Sequence, residues 1–249
     1  MMRTANPALN ENTFTRLERT YVDSDVMTIQ GTVNKIGILL VLAIASATWT
    51  WTLAGGDSEA VYPLLAIGGI GGLIVAIVTV FKQTWSPVTA PIYCLLKGLV
   101  LGGISAIFES MYPGIVFQAV CLTFGTLACM LIAYRTGLIK ATENFKMGVI
   151  AATGGIMLVY FVTSILGFFG IGQLGFIHDS GLVGIGFSLF VVVIAALNLV
   201  LDFDFIENGA ARGAPKFMEW YAAFGLMVTL IWLYLEILRL LAKLAANRD

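Results

Sequence analysis

The stretch LVGIGFSLFVVVIAALNLVLDFDFIENG, residues 182–209, begins as a long apolar run and ends in three acidic residues. A helix needs about 20 consecutive apolar residues to cross the hydrocarbon core of a bilayer. Residues 182–201 therefore predict a transmembrane helix, with Asp202, Asp204 and Glu207 at its end. Acidic side chains are costly at membrane depth and often mark a functional site when they occur there.

The rest of the chain has the same character. Hydrophobic residues make up 59% of the 249 residues and charged residues only 12%, whereas soluble domains carry about 25% charged residues. The chain is expected to be an all-α integral membrane protein, a bundle of seven transmembrane helices. Residues 1–34 form a polar cytoplasmic segment, and residues 35–249 form the transmembrane domain. The predicted spans are Ile36–Ala54, Val61–Phe81, Pro91–Phe108, Ile115–Tyr134, Met147–Phe169, Leu182–Leu201 and Trp220–Leu244.

The positions of Lys and Arg predict the orientation. The loops after the first, third and fifth spans contain none, whereas the N-terminal segment and the other loops are basic. Cytoplasmic loops carry the excess of positive charge, so we expect a multi-pass protein of the bacterial inner membrane with a cytoplasmic N-terminus. Arg239, Lys243 and Arg248 conflict with this pattern, because seven crossings place them outside. A re-entrant last helix is the alternative.

Other features limit the function. The net charge of −1 gives no reason to expect a nucleic-acid partner, and the chain has no cofactor motif. The single histidine, His178, makes a Ser-His catalytic pair unfavourable, so we do not expect an enzyme. Glycines spaced as GxxxG at 68 and 72, and at 98 and 102, let helix backbones approach closely; packing inside one bundle is favoured over dimerisation.

Glu236 is the acidic residue most deeply embedded in apolar sequence, in IWLYLEILRLL at 231–241. Two interpretations are open. The carboxylate could face the bundle interior and hold a proton or a cation. Alternatively it could form a salt bridge with Arg239, three residues further along the same helix face.

Asp202 and Asp204 are separated by about 200° on a helix, so only one of them can face the interior. Asn198 and Asp202 share a face, and this polar pair could line a path while Asp204 meets the cytoplasm. Two solvated acids at a helix end are the alternative. Lys97 lies at a similar depth in the third span, where it could neutralise Asp202 or extend its charge to the membrane surface.

Four stretches together resemble the bacterial branch of the Bax inhibitor-1 family. They are MTIQGTVNKIGILL (27–40), SPVTAPIYCLLKGLVLGGISAIFE (86–109), LDFDFIENG (201–209) and LYLEILRLL (233–241). The resemblance implies a seven-helix bundle with the C-terminal helix at its centre. It also implies a role in pH-sensitive calcium leak across a membrane.

The family's functional pair of acids corresponds by motif to Asp202 and Glu236. Two nearby carboxylates tend to share one proton, and their oxygens suit a transient calcium site. The resemblance therefore implies protons and calcium as permeant or regulatory ions, with Asn198, Asp204, Lys97 and Arg239 in support. A rival arrangement pairs Lys97 with Asp202 and leaves Glu236 with Arg239. The alternative function is a membrane regulator that binds another integral protein, such as a quality-control protease.

Overall fold

The computed structural model describes residues 26–56, 59–169 and 181–247, which contain seven long α-helices. Each helix is long and apolar enough to cross a bilayer, so the predicted all-α membrane fold is confirmed. Residues 1–25 of the predicted polar segment 1–34, together with His178 and Arg248, lie outside the described residues. The helices are α1 (Ile29–Gly56), α2 (Val61–Phe81), α3 (Ser86–Met111), α4 (Ile115–Arg135), α5 (Glu143–Phe168), α6 (Leu182–Ala211) and α7 (Met218–Ala246).

The C-terminal helix α7 lies at the centre of the bundle. It packs against α1, α3, α4 and α6. In an apolar stretch of 18 residues, 56% of α7 is buried, whereas 17% to 39% of the corresponding stretch is buried in each of the other six helices. The predicted central position of the last helix is therefore confirmed. The other helices direct large apolar side chains outward, as Ile70, Phe117 and Phe161 do, and a bilayer is the solvent that suits such a surface.

The GxxxG glycines pack helices together within this one chain. A Cβ at Gly102 would lie 2.1 Å from the carbonyl oxygen of Ala47, and one at Gly98 would lie 1.8 Å from the hydroxyl of Ser46. Gly68 meets the backbone of α3 in the same way, because its Cβ would lie 2.4 Å from the carbonyl oxygen of Leu96. These glycines fix α3 between α1 and α2.

The acidic motif lies on a helix and not in a loop, which corrects the predicted end of the sixth span. α6 continues to Ala211, ten residues beyond the predicted end at Leu201. An α-helix satisfies its own backbone hydrogen bonds in lipid and in water alike, so its end need not coincide with the end of the apolar run. Residues 212–217 are all that connect α6 to α7. For the same reason α1 begins at Ile29, earlier than the predicted Ile36.

α7 is one continuous helix of 29 residues, and a re-entrant last helix is therefore not supported. At its far end the ammonium group of Lys243 donates to the carbonyl oxygen of Gly184 at 3.0 Å and to the hydroxyl of Ser188 at 2.8 Å. These contacts lie at the start of α6, so α6 and α7 are antiparallel along their whole length. Lys243 is also buried, which distinguishes it from the solvated cations that determine orientation.

Candidate functional site

Glu236 lies in the interior of the bundle, where a cation and hydrogen-bond donors surround its carboxylate. Its residue exposure is 2%. The Arg239 guanidinium donates to its two carboxylate oxygens at 2.8 and 2.9 Å, and the indole N–H of Trp232 donates to Oε1 at 3.3 Å. The hydroxyl of Tyr160, on α5, lies 3.1 Å from Oε1 and 3.2 Å from Oε2. The structure combines features of both interpretations, because the carboxylate faces the bundle interior and Arg239 is its partner; a role for Glu236 in holding a proton or a cation stays a prediction.

Tyr160 connects the outer helix α5 to this cluster. Its hydroxyl accepts from Arg239 at 2.9 Å while facing Glu236. The guanidinium carbon of Arg239 also lies 5.4 Å from the centroid of the Tyr160 ring, within cation–π range. The Arg239 side chain is 39% exposed and that of Glu236 only 3%, so the cation of this pair, and not the carboxylate, reaches the surroundings.

Asp202 has a different environment. Its Oδ2 atom is buried and has no hydrogen-bond partner among the described residues. The carboxyl group faces α7: a Cβ added at Gly225 would lie 4.0 Å from its Oδ1, and the Thr229 side chain lies beside it. The absence of a side chain at Gly225 therefore leaves room next to the carboxyl group.

The two carboxyl groups follow one face of α7 but do not meet. Gly225, Thr229 and Glu236 fall on one stripe of the helix, because they are spaced at four and seven residues. At 1.5 Å per residue, Glu236 lies about 10 to 16 Å further along the axis than the level of Asp202. Trp232 occupies this stripe between Thr229 and Glu236.

An apolar cluster fills the space around Trp232. Ile156, Val191 and Ile194 form it, and Trp232 packs against them. On α5, Ile156 separates Tyr160 from the part of the helix that faces Asn198. No polar route therefore connects the two carboxyl groups through these described residues.

The predicted supporting residues on α6 bind α5 instead of Asp202. The side-chain amide of Asn198 donates to the hydroxyl of Thr153 and to the carbonyl oxygen of Ile194, both at 2.8 Å. Asp204 forms an ion pair of 2.9 Å with Lys146 at the start of α5, and its side chain is 19% exposed. Asn198 and Asp204 thus hold α5 on either side of the level of Asp202.

The predicted contact between Lys97 and Asp202 is not present in the structure. It lies between α2 and α3, where its Cε atom would be 3.0 Å from a Cβ at Gly72. Its ammonium group lies 6.0 Å from the centroid of the Tyr93 ring. No ion pair of Lys97 is found in the described parts of the chain, and Asp202 is not its counter-ion.

A sequence comparison identifies the family. Residues 6–246 match the sequence model of the family described as Bax inhibitor 1 like. The chain belongs to the Bax inhibitor-1-like family. A comparison with curated proteins finds no match. The family match spans all seven helices and includes Asp202 and Glu236, so membership agrees with the membrane bundle described above.

The protein also contains a buried ionic cluster around Glu219 that the sequence did not predict. Glu219, at the start of α7, has no exposed surface. Its carboxylate binds the ammonium groups of Lys35 and Lys216, and it accepts from the backbone N–H and the hydroxyl of Thr28, both at 2.9 Å. Lys216 and Glu219 are three residues apart in the sequence, and this spacing was a signal for the local pair. Nothing in the sequence indicated Lys35, which is 184 residues away.

This Glu219 cluster fixes the beginning of α1 to the beginning of α7. Next to it, Val26 and Pro215 form an isolated antiparallel bridge, and the backbone N–H of Met27 donates to the carbonyl oxygen of Ala214 at 2.7 Å. Backbone contacts therefore connect the segment before α1 to the α6–α7 connection at this end of the bundle.

Proposed function

We propose that this protein is a pH-sensitive calcium leak pathway in which Asp202 and Glu236 are the membrane-embedded carboxyl groups that calcium meets. Family membership supports a channel-like membrane protein. The observation that carries the proposal is the buried Oδ2 of Asp202, which has no partner in the described structure. A buried acceptor without a donor calls for an explanation, and a site for a proton or a passing cation supplies one.

Protonation of Asp202 is the proposed control. Thr229 is beside the carboxyl group, but the Oδ2 atom of Asp202 has no donor among the described residues, and an ionised carboxylate buried without a cation costs several kcal/mol. Loss of its proton would therefore require a rearrangement that brings water or a cation to Oδ2. Calcium favours carboxylate oxygens, and a single such group gives the weak, transient binding that conduction requires.

The conformation described here corresponds to the closed state in this proposal. The apolar cluster of Ile156, Val191 and Ile194, together with Trp232, separates Asp202 from Glu236. A hydrophobic constriction blocks ions because water does not fill it. Opening would need α5 or α6 to move relative to α7, and ionisation of Asp202 would favour that movement.

The proposed orientation follows the distribution of positive charge. The basic connection between α4 and α5 and the starts of α1 and α7 face the cytoplasm. Asp202 then lies in the cytoplasmic half of the bundle, and Glu236 lies nearer the outer side. Protons and calcium would therefore reach Asp202 from the cytoplasm.

Calcium flux into proteoliposomes, measured from pH 6 to pH 8, tests the proposal. Asp202→Asn keeps the size of the side chain and fixes it in a neutral form. We expect its flux to stay, at every pH, at the level that the unchanged protein approaches at low pH. Asp204→Asn is the matched control, since Asp204 is on the same helix turn but pairs with Lys146; its pH profile should be retained.

Two results would contradict the proposal. Flux through Asp202→Asn that follows pH as in the unchanged protein would remove Asp202 as the control. An absence of calcium flux in the unchanged protein at every pH, with both variants correctly folded, would remove the leak function itself.

A further inference from the structure

A second feature of the bundle is an apolar cavity of about 420 Å³ between α1 and α4. The central helix α7 and the helix α3 form its inner walls, through residues such as Met227, Leu230 and Gly102. Its volume falls in the range of about 300–1,000 Å³ that is typical of small-molecule pockets. None of the residues in the proposed calcium pathway lines it.

The cavity opens sideways into the membrane. α1 and α4 each pack against α3 and α7, but they make no substantial contact with each other. The lips of the opening are apolar and partly exposed: Ile44 is 52% exposed on α1, while Val120 and Phe124 are 37% and 39% exposed on α4. All three lie within membrane-spanning helices, so the opening faces hydrocarbon.

The hydroxyl groups that line the cavity are already used. Thr48 donates to the carbonyl oxygen of Ile44 at 2.9 Å, and Thr123 donates to that of Ala119 at 2.7 Å. Ser105 and Tyr234 bind each other at 2.6 Å. An occupant therefore finds mostly apolar surface, with one spare hydroxyl hydrogen in the Ser105–Tyr234 pair, which favours a hydrocarbon chain over a polar ligand.

We propose that this cavity binds one acyl chain of a membrane phospholipid. The chain is the apolar molecule present at the opening at very high concentration, so even weak affinity fills the site by mass action. A second copy of this protein would have to insert a helix about 10 Å wide, whereas α3 and α7 already occupy the space behind the lips. A flexible chain fits a cavity of this size without moving either helix.

An acyl chain at this position contacts the central helix on a defined face. Met227, Leu230 and Tyr234 lie on one stripe of α7, about 145° around the helix from the stripe of Thr229 and Glu236. The lipid site is therefore separate from the carboxyl groups, and the proposal stands whether or not the protein conducts calcium.

Photocrosslinking in vesicles tests the site. The full-length protein is reconstituted in phosphatidylcholine containing a small fraction of phosphatidylcholine with a diazirine on one acyl chain. After irradiation, the labelled residues are mapped by mass spectrometry. We expect labelling of Met227 and Leu230, which line the cavity and are only 1% and 5% exposed.

A plug at the opening provides the comparison. Val120→Trp fills one lip, and Ile44→Trp fills the other in case the first variant folds poorly. Labelling of Met227 and Leu230 should fall about tenfold, which corresponds to a loss of roughly 1.4 kcal/mol in binding. Ala151→Trp is the control, because Ala151 is exposed on α5 far from the cavity, and labelling should be unchanged.

Three results would overturn the proposal. Labelling confined to outward-facing residues would mean that lipid stays outside the cavity. Equal labelling of α7 in the plugged and unplugged proteins would mean that lipid reaches it by another route. Crosslinks between two copies through α1 and α4, increasing with protein density, would assign the cavity to self-association.

Discussion

Glu236 is bound to Arg239, whereas Asp202 meets the same helix about 10 to 16 Å earlier and has no cation beside it. The two acids therefore perform different tasks in this conformation. The Glu236 charge is neutralised within one helix turn and helps to hold α5 through Tyr160. The Asp202 carboxyl group has the Thr229 side chain beside it, but its Oδ2 atom has no partner among the described residues.

The Glu236 cluster should contribute to stability as a unit. Removing one partner of a buried ion pair costs about 3–5 kcal/mol. Because the Arg239 side chain is 39% exposed, we expect a smaller loss of about 1–3 kcal/mol for Glu236→Gln. The double variant Glu236→Gln, Arg239→Gln should lose less than the sum of the single changes, by about 1–2 kcal/mol. Chemical denaturation in detergent micelles, followed by circular dichroism, measures these free energies of unfolding.

Glu143→Gln is the control for this cycle. It removes an acid from an ion pair with Lys146, but its side chain is 86% exposed, so we expect no measurable change. Strictly additive losses for Glu236 and Arg239 would contradict the assignment and would mean that the contact contributes little.

The sequence predicted the spans well because length and hydropathy are properties of each segment alone. It also predicted Arg239 as a possible partner of Glu236, since residues three apart share a helix face. It did not predict Tyr160 as the third member, nor Lys35 as a partner of Glu219. Such contacts depend on how separate helices are rotated and shifted against each other, and no local spacing encodes this. The length of α6 was missed for another reason: polar residues end an apolar run without ending a helix.

Gly31 should be required for the contact between α1 and α7. A Cβ at this position would lie 2.1 Å from Oε1 of Glu219. The carboxylate could normally move aside, but it is held by Lys35, Lys216 and Thr28. Gly31→Ala should therefore break part of this cluster and lower the thermal unfolding midpoint in detergent.

Gly37→Ala gives the matched comparison on the same helix. Nothing lies within 4 Å of a Cβ at Gly37, and alanine is favoured over glycine in a helix by about 0.5–1 kcal/mol. This variant should be as stable as the unchanged protein or slightly more stable. Equal thermal unfolding midpoints for Gly31→Ala and Gly37→Ala would contradict this prediction. They would mean that the Glu219 carboxylate moves aside with no loss of stability.

A side chain at Gly102 should also destabilise the protein. Here the added atom would clash with the backbone of a neighbouring helix and not with a side chain. A Cβ there would lie 2.1 Å from the carbonyl oxygen of Ala47, and neither helix can move without disturbing its other contacts. We expect Gly102→Ala to lose about 1–3 kcal/mol, the usual cost of overpacking.

Gly154→Ala on α5 is the control, because its Cβ would meet nothing within 4 Å. Denaturation of both variants in the same detergent measures the difference; a loss at Gly154 as large as that at Gly102 would point to a general intolerance of alanine.

The two ends of the chain should lie on opposite sides of the membrane. The described residues contain seven helices long and apolar enough to cross a membrane, and seven crossings require this, although basic residues near the C-terminus favour the cytoplasm. Two contacts reduce the weight of these basic residues: Arg239 is paired with Glu236 and Lys243 is buried against α6, so both charges are engaged within the fold. Alkaline phosphatase, which is active only outside the cytoplasm, should be active when fused after Asn247 and inactive when inserted between α4 and α5. Green fluorescent protein at the same positions should give the opposite pattern. A fluorescent, phosphatase-inactive fusion at the C-terminus would mean that the chain crosses the membrane an even number of times and that α7 does not span it in the cell.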